Sequence, residues 1–433
     1  MKVIPRDQHC ISRKNISDSA LKVMSRLRSQ GHQAYLVGGA VRDLLLGGHP
    51  KDFDVATDAT PEEVHGLFRN SRIIGRRFRI VHVRFGREII EVTTFRGHHG
   101  SGNEASPATG GNHSRQSDKG LLLRDNVYGT LEEDAVRRDL TVNALYYDAG
   151  KFEVFDHVHG LQDLQNRQVC VIGEPEVRYR EDPVRMLRAV RFAAKLNFDI
   201  ETKTASAIPS CAHLLREIPA ARLFDEFLKL FLSGYGAATL EQLLKYDLLQ
   251  YLFDETSHLI HQEPRSLALI RAAMANTDKR IAEDKPVTPA FILAALLWPV
   301  ASRGASELES RGDSPMVAIH SAAQQTIAEA SAQLSIPRRF SQPMREIWEF
   351  QLRLQRRQGK KAAELVEHRR FRAAYDFLLL REQAGEETDD LGAWWTEFQT
   401  LNMDQRIEQA ANAPAGKSSR RRRPRRRRNP KQA

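Results

Sequence analysis

Two aspartates one residue apart, Asp52 and Asp54 in Lys51-Asp52-Phe53-Asp54-Val55, open the chemical reading of this sequence. On an extended segment both project from one face, while Phe53 and Val55 point into a core. Side-by-side carboxylates repel, so the arrangement is costly unless a cation sits between them. A hard divalent ion with oxygen ligands, Mg²⁺, is the natural occupant. Just upstream, Gly38-Gly39 separates the apolar Tyr35-Leu36-Val37 from Ala40–Leu46, whose apolar residues fall at helical spacing and which carries Arg42. Glycine at such a junction lets backbone N–H groups approach a ligand closely, and a helix starting there turns its positive end toward an anion. Alone, an Asp-x-Asp is usually a turn or a solvated strand edge, and a Gly-Gly pair a tight turn. In succession they offer a phosphate cradle followed by a metal-binding carboxylate pair.

The flanking sequence supplies the elements that must hold this unit. Residues 1–16 read as an extended arm, and Asp18–Arg28 as an amphipathic helix capped by Ser17, with Leu21, Met24 and Leu27 buried. Thr60-Pro61-Glu62-Glu63 is a capping box opening a helix to Phe68. Arg79–Phe85 and Glu88–Phe95 alternate as strands about a turn at Gly86-Arg87. On the second of these, Glu91 reads either as a third carboxylate facing the aspartates or as a surface residue. His82 reads as a satisfied core histidine. Residues 98–120, rich in Gly, Ser, Asn and His, have no periodicity and read as a mobile loop, a lid or an RNA contact; His98, His99 and His113 are too irregularly spaced for a metal site. Thr130–Ala135 begins a helical segment, and Phe152–Asp156 completes the sheet. Tyr179–Phe192 is expected as one helix with Asp182 as N-cap and Pro183 at its first position. Helices then follow at Ala205–Leu215, Ala220–Leu232, Ala237–Tyr246, Pro289–Leu297, Val317–Leu334, Met344–Gln355, Lys361–Val366 and Phe371–Arg381.

The stretch LVGGAVRDLLLG…KDFDV resembles the signature of polymerase β-type nucleotidyltransferases, in the class that unites bacterial CCA-adding enzymes with bacterial poly(A) polymerases. That resemblance implies an α+β chain: a nucleotidyltransferase head with a mixed sheet, an all-helical body and a disordered basic tail. The corresponding divisions are an arm and helix at 1–30, the head at 31–160, a nucleotide-selecting neck at 161–235, an RNA-binding body at 236–400 and the tail at 401–433. RRDLTVNALYYD is similar to the family's second motif. It implies that Arg137, Arg138 and Asn143 contact ribose and phosphates and that Asp139 joins Asp52 and Asp54 as a catalytic carboxylate. EDPVRMLRAVRF resembles the nucleotide-selecting motif, in which Asp182 and Arg185 would read the base edge and Arg188 would reach the triphosphate. Gly38, Gly39 and Arg42 would neutralise the leaving pyrophosphate. Two Mg²⁺ ions on Asp52 and Asp54, with Glu91 the open third ligand, and ATP as substrate complete the implied mechanism.

Within the family, GRRFRIVHVRFGREIIEVTTFRGHH and RRQGKKAAELVEHRRFRAAYDFLLLRE resemble bacterial poly(A) polymerases, as does the arginine-rich terminus. The function so implied is template-independent addition of AMP to RNA 3′ ends of mRNA, small RNA and tRNA precursors, promoting RNA decay. A CCA-adding enzyme is the alternative inside the family, and a non-catalytic RNA-binding adaptor the alternative outside it. Composition agrees with a multidomain globular chain: 433 residues, 41% hydrophobic and 28% charged. The formal charge of +10 sits in the tail, where ten of the 65 basic side chains lie from Lys417 onward and the other 55 balance 55 acids. Such a tail cannot bury a core; it is expected to contact RNA phosphates, and RNA-decay proteins are candidate partners. Basic residues at Arg353, Arg356, Arg357, Lys360, Lys361, Arg369, Arg370 and Arg372 suggest a second RNA-backbone surface, whereas Trp394 and Trp395 are expected to pack. No apolar run spans a bilayer, the N-terminus does not read as a signal peptide, and three scattered cysteines suit reduced thiols, so a cytoplasmic location is expected.

Overall fold

The computed structural model describes residues 1–75, 79–97 and 127–413, together with the backbone of 114–116 and 122–125. The rest of the 98–120 segment and the tail from 414 lie outside the described residues, so the lid, RNA-contact and tail expectations fall there. The chain divides into two compact units, one of residues 1–231 with 235–252, the other of 232–234 with 253–433.

The first unit is built on an eight-stranded sheet. Its strands are β1 (Lys2–Ile4), β2 (Ala34–Val37), β3 (Asp54–Thr57), β4 (Ser71–Ile74), β5 (Ile80–Phe85) and β6 (Glu88–Thr94), then β9 (Leu145–Asp148) and β10 (Glu153–Asp156). A separate antiparallel ribbon, β7 (Ser114–Gln116) with β8 (Leu122–Asp125), lies between them in sequence, so part of the segment expected as structureless is a strand. Spatial order is β1-β10-β9-β2-β3-β6-β5-β4. Within this sheet β3 and β6 run parallel, and every other neighbouring pair is antiparallel.

Period-two alternation sorts each strand between two faces. Leu36, Val55, Val92 and Tyr147 pack with α1 (Asp18–Ser29), α2 (Gly39–Leu45) and α3 (Pro61–Leu67) through Val23, Leu27, Val41, Leu44 and Val64. Val37, Ala56, Phe95 and Tyr146 face the other way, against Ala135 of α4 (Leu131–Arg137). The caps read from sequence form: Ser17 accepts from Ser19 and Ala20 N–H, and Thr60 and Glu63 close a capping box. The arm expected at 1–16 instead contributes β1, because Lys2–Ile4 covers the open edge of β10.

Beyond the sheet come α5 (Gly160–Asn166), α6 (Pro175–Glu181) and α7 (Val184–Leu196). The single helix expected over 179–192 is therefore two. Asp182 is extended at φ −152°, and Pro183, which has no N–H to donate, stands between the helices. Asp182 ends α6 instead of capping α7. The helix expected over 205–215 breaks into Thr202–Ser206, Ile208–Cys211 and a 3-10 turn at Ala212–Glu217 around Pro209. Gly236–Lys245, expected in the body, packs on α7 and belongs to the first unit.

The second unit is helical, with long members at Pro264–Ala282, Pro289–Ser310, Pro315–Leu334 and Arg338–Leu354. Trp395 is buried, its indole donating to the Leu354 carbonyl at 2.9 Å, and Trp394 stacks on Phe398 at 4.2 Å, so both tryptophans pack. Met403–Asn412, expected as the beginning of the tail, is a helix: Arg406 is buried and donates to Glu367 at 2.6 Å. Among the described residues no helix is long and apolar enough to cross a membrane.

Candidate active site

Asp54 opens β3, in register with Val37 on one side and Glu91 on the other. Because β2 ends at Val37, where Gly38 turns the chain, residues before Asp54 have no partner on the β2 side. Asp52 accordingly precedes β3 and is exposed, so the expectation of two aspartates on one strand holds for Asp54 alone. Burial and the adjoining Glu91 push the Asp54 carboxyl up to about 6; Arg138 opposes them and Asp52 adds to them. Glu91 also lies 3.2 Å from Nε2 of His82, which is half-buried and not the core histidine expected.

Gly38 has φ +76°, a conformation that glycine adopts without strain. A Cβ there would stand 3.5 Å from Asp54 Oδ2 and 3.9 Å from Arg138 Nη1, so a carboxylate and a guanidinium converge on the glycine turn. Arg138 is aimed by a buried relay: its Nε donates to Asp134 at 3.1 Å and to the Tyr146 hydroxyl at 2.8 Å, and Tyr146 donates to Asp134 at 2.6 Å. Burial works against ionisation of Asp134, but Arg138 and Arg96 outweigh it and hold the carboxyl below its ordinary value.

Arg42, expected to face a leaving group, is 1% exposed. It donates to Asp43 at 2.7 Å and to Asn143 Oδ1 at 2.5 Å, with its guanidinium over the Phe192 ring at 5.0 Å. It ties α2 to the turn Thr141–Asn143 and to α7, and Asn143 is drawn into the same contact. Asp139 forms an ion pair with Arg188 at 2.5 Å and accepts from the Leu140 N–H at 2.9 Å. Burial would raise its carboxyl, but Arg188, that N–H and Arg185 together lower it. Arg137 closes α4, and its carbonyl and that of Arg138 both accept from Nη2 of Arg178, at 2.8 and 2.6 Å.

Asp182 pairs with Arg222 at 2.7 Å. Arg185 donates to Glu181 at 2.9 Å and to the Arg178 carbonyl at 2.7 Å. The structure thus brings Gly38, Asp54, Glu91 and Arg138 to one place, and Asp139 with Arg188 to another. Among the described residues, no three His, Cys, Asp or Glu side chains are grouped to hold a metal ion by themselves. Sequence reasoning overlooked Arg178, Glu181, Arg222 and Asp134. Arg178 and Glu181 carried a signal, being an i,i+3 opposite-charge pair beside the selecting motif; Arg222 and Asp134 carried none, since their partners are distant or unremarkable in sequence.

Three family models match the chain: the poly A polymerase head domain over residues 34–170, the probable RNA and SrmB-binding site of polymerase A over 197–260, and the polymerase A arginine-rich C-terminus over 311–429. Poly(A) polymerase I of Salmonella typhimurium is 51% identical over 404 residues, covering 92% of this chain and 86% of that protein. The chain belongs to the bacterial poly(A) polymerase family. Poly(A) polymerase I of Haemophilus influenzae is 44% identical over 93% of the chain and 89% of its own length. The CCA-adding enzyme of Lactobacillus helveticus is 39% identical over half of each chain. The crystal structure of the Bacillus stearothermophilus CCA-adding enzyme in complex with CTP superposes with a TM-score of 0.60, covering 92% of this chain and 88% of that one, at 24% identity; it establishes the fold. As a poly(A) polymerase the chain is a nucleotidyltransferase with an RNA-binding region, acting with ATP on RNA.

Proposed function

We propose that this poly(A) polymerase adds AMP from ATP to RNA 3′ ends without a template, and that Asp52 and Asp54 hold two Mg²⁺ ions with Glu91 beside them. The observation that carries the metal assignment is Asp54: a half-buried carboxylate next to Glu91 and Asp52, with its pKa pushed to about 6. An oxygen-donor set so short of positive charge fits a hard divalent ion. When bound, Mg²⁺ would activate the RNA 3′-hydroxyl and neutralise charge on the phosphates.

The chain's own residues supply the rest. Backbone N–H groups at Gly38 and Gly39 approach the phosphates from a turn whose φ of +76° at Gly38 favours glycine. Arg138, fixed by Asp134 and Tyr146, adds a preorganised cation beside Asp54. Arg42 acts by bracing α2 against Asn143. Asp139 holds Arg188 toward the triphosphate, with Arg137 alongside. Arg185 spends one nitrogen on its protein partners and retains donors for the base, beside Asp182. Unpaired adenosine tails on mRNA, small RNA or tRNA precursors would give exonucleases an entry point, which supports a role in RNA decay inside the cytoplasm. The basic tail is the proposed contact for decay proteins.

Half of the chain is also similar to a CCA-adding enzyme, so similarity of that extent does not separate the two activities. Incubation of a generic RNA with each NTP in turn does. A long ladder with ATP only is expected; addition that stops after C, C and A on a tRNA end would replace this reading with the CCA-adding one. An adaptor without catalysis would give no ladder at all.

A further inference from the structure

Within the second unit, the helices Pro264–Ala282, Pro289–Ser310 and Phe371–Gln383 contribute to a cleft of about 420 Å³. The half-buried Trp298 lines it, and the guanidinium of Arg381 lies over the indole at 4.9 Å. Arg381 is 9% exposed and held at every nitrogen: Nε donates to Glu386 at 2.8 Å, Nη2 to the same carboxylate, and Nη1 to Gln351 at 2.8 Å. This aromatic–guanidinium layer is rigid before any ligand arrives. Two exposed arginines also line the cleft. Arg265 pairs with no carboxylate among the described residues, and Arg303 makes only a surface contact with Glu307 at 3.4 Å, of the kind worth little in water. Ser302 and Ser306 donate to carbonyls of their own helix, which leaves oxygen lone pairs to accept from a ligand.

We propose that this cleft takes one nucleotide of single-stranded RNA, upstream of the 3′ end being extended. A planar layer backed by a fixed guanidinium suits a base, and stacking of this kind is tolerant of sequence. The arginines at the exposed positions suit a phosphodiester. The three arginines face two glutamates, Glu263 and Glu386, among the lining residues, and Glu307 outside the cleft partly screens Arg303, so the excess is at most one positive charge. That matches a single phosphodiester and is too little for a triphosphate, which separates an RNA residue from free ATP. The volume suits one nucleotide and excludes a duplex. Such a contact would retain the growing strand between additions. The inference rests on the chain acting at RNA 3′ ends, as proposed above.

The test uses the full chain, without ATP, and an A-only oligomer carrying one photo-crosslinkable adenosine, with the joined peptide mapped by mass spectrometry. Crosslinks to Pro289–Ser310 about Trp298 are expected, and they should survive millimolar ATP. Crosslinks confined to other segments, displacement by ATP, or displacement by an acidic peptide in preference to RNA would each overturn the assignment. The double variant Arg265→Glu/Arg303→Glu changes exposed positions only. It is expected to lower that crosslink about tenfold while the first AMP addition to a short primer keeps its rate. An undiminished crosslink in this variant defeats the proposal. Failure of the wild-type chain to add AMP, with the crosslink intact, would instead defeat the proposed function.

Discussion

The carboxylate site of the first unit and the basic surface of the second treat charge in opposite ways. On the surface, Arg370 meets Glu346 at 2.5 Å, Arg369 reaches the same carboxylate at 3.4 Å, Arg372 pairs with Asp376 at 3.0 Å and Lys360 with Glu364 at 3.7 Å. Four of the eight cations expected to form an RNA-backbone surface are thus spent on neighbouring acids. At the head, Asp54 lies beside Glu91 and Asp52, and its carboxyl is raised. On α7, burial and neighbouring arginines lower the Arg191 guanidinium, and burial and Arg42 lower the Lys195 amine. Like charges crowded in a half-buried site are unfavourable for the free protein. They persist where an incoming group of opposite charge relieves them. A cluster left electrostatically unresolved is therefore the better marker of a substrate site than a count of basic residues.

The largest test of that contrast is catalytic. Asp54→Asn and Asp52→Asn should each lower AMP incorporation by about a thousandfold or more, measured on an RNA primer with ATP and Mg²⁺. RNA affinity measured by filter retention should change little. Incorporation at near wild-type rate in either variant would remove the metal assignment.

Next comes stability. The folded Asp54 carboxyl titrates near 6 and the unfolded one near 3.8, so between these values the folded chain holds the extra proton. Stability should therefore fall as pH rises through this window, by about 3 kcal/mol in all. The penalty is absent below it and fully present above it. Asp54→Asn should flatten the profile and raise the melting temperature of the metal-free chain at pH 8, even while activity is lost. A melting profile with the same slope in both proteins would show that the site carries no such tension.

Arg178→Ala leaves the Arg137 and Arg138 carbonyls without their shared donor. Burial, followed by Arg185 and Arg137, already lowers the Arg178 guanidinium to about 10. A loss of roughly 2 kcal/mol in stability is expected, read by urea denaturation; a shift below the error of that measurement would show the brace to be dispensable. The smallest effect belongs to the paired surface. Arg369→Ala with Arg370→Ala should change stability by about 1 kcal/mol or less and RNA affinity less than twofold. A much larger loss of RNA binding would mean that these arginines exchange Glu346 for phosphate.

Local patterns were readable where one residue type has one physical job. Thr60 and Glu63 cap a helix through contacts three residues apart, and Gly38 turns a strand into a helix because only glycine sits easily at its φ. Alternating stretches on either side of Gly86-Arg87 announced a hairpin, and it forms with Phe85 opposite Glu88. Reading failed where one proline or one distant partner decides. Pro183 splits a helix that periodicity alone would continue, and Arg222 takes the Asp182 carboxylate that would otherwise cap α7. The helix Pro264–Ala282 was not anticipated, since its apolar positions are interrupted by charge and its faces are defined by neighbours in the fold.

By itself the sequence determined that two carboxylates follow a glycine turn, that a mixed sheet precedes a helical body, and that the excess charge lies at the end of the chain. The first follows from short-range rules of spacing and backbone freedom, the mixed sheet from the family resemblance of those motifs, and the last from composition alone. Tertiary structure alone decided that Glu91 stands next to Asp54, that Arg42 is buried against Asn143, and that Arg188 belongs to Asp139. Each of those pairs joins residues 37 to 101 positions apart. Charge interacts through space, and the distance along the chain between two ions does not say how near the fold brings them.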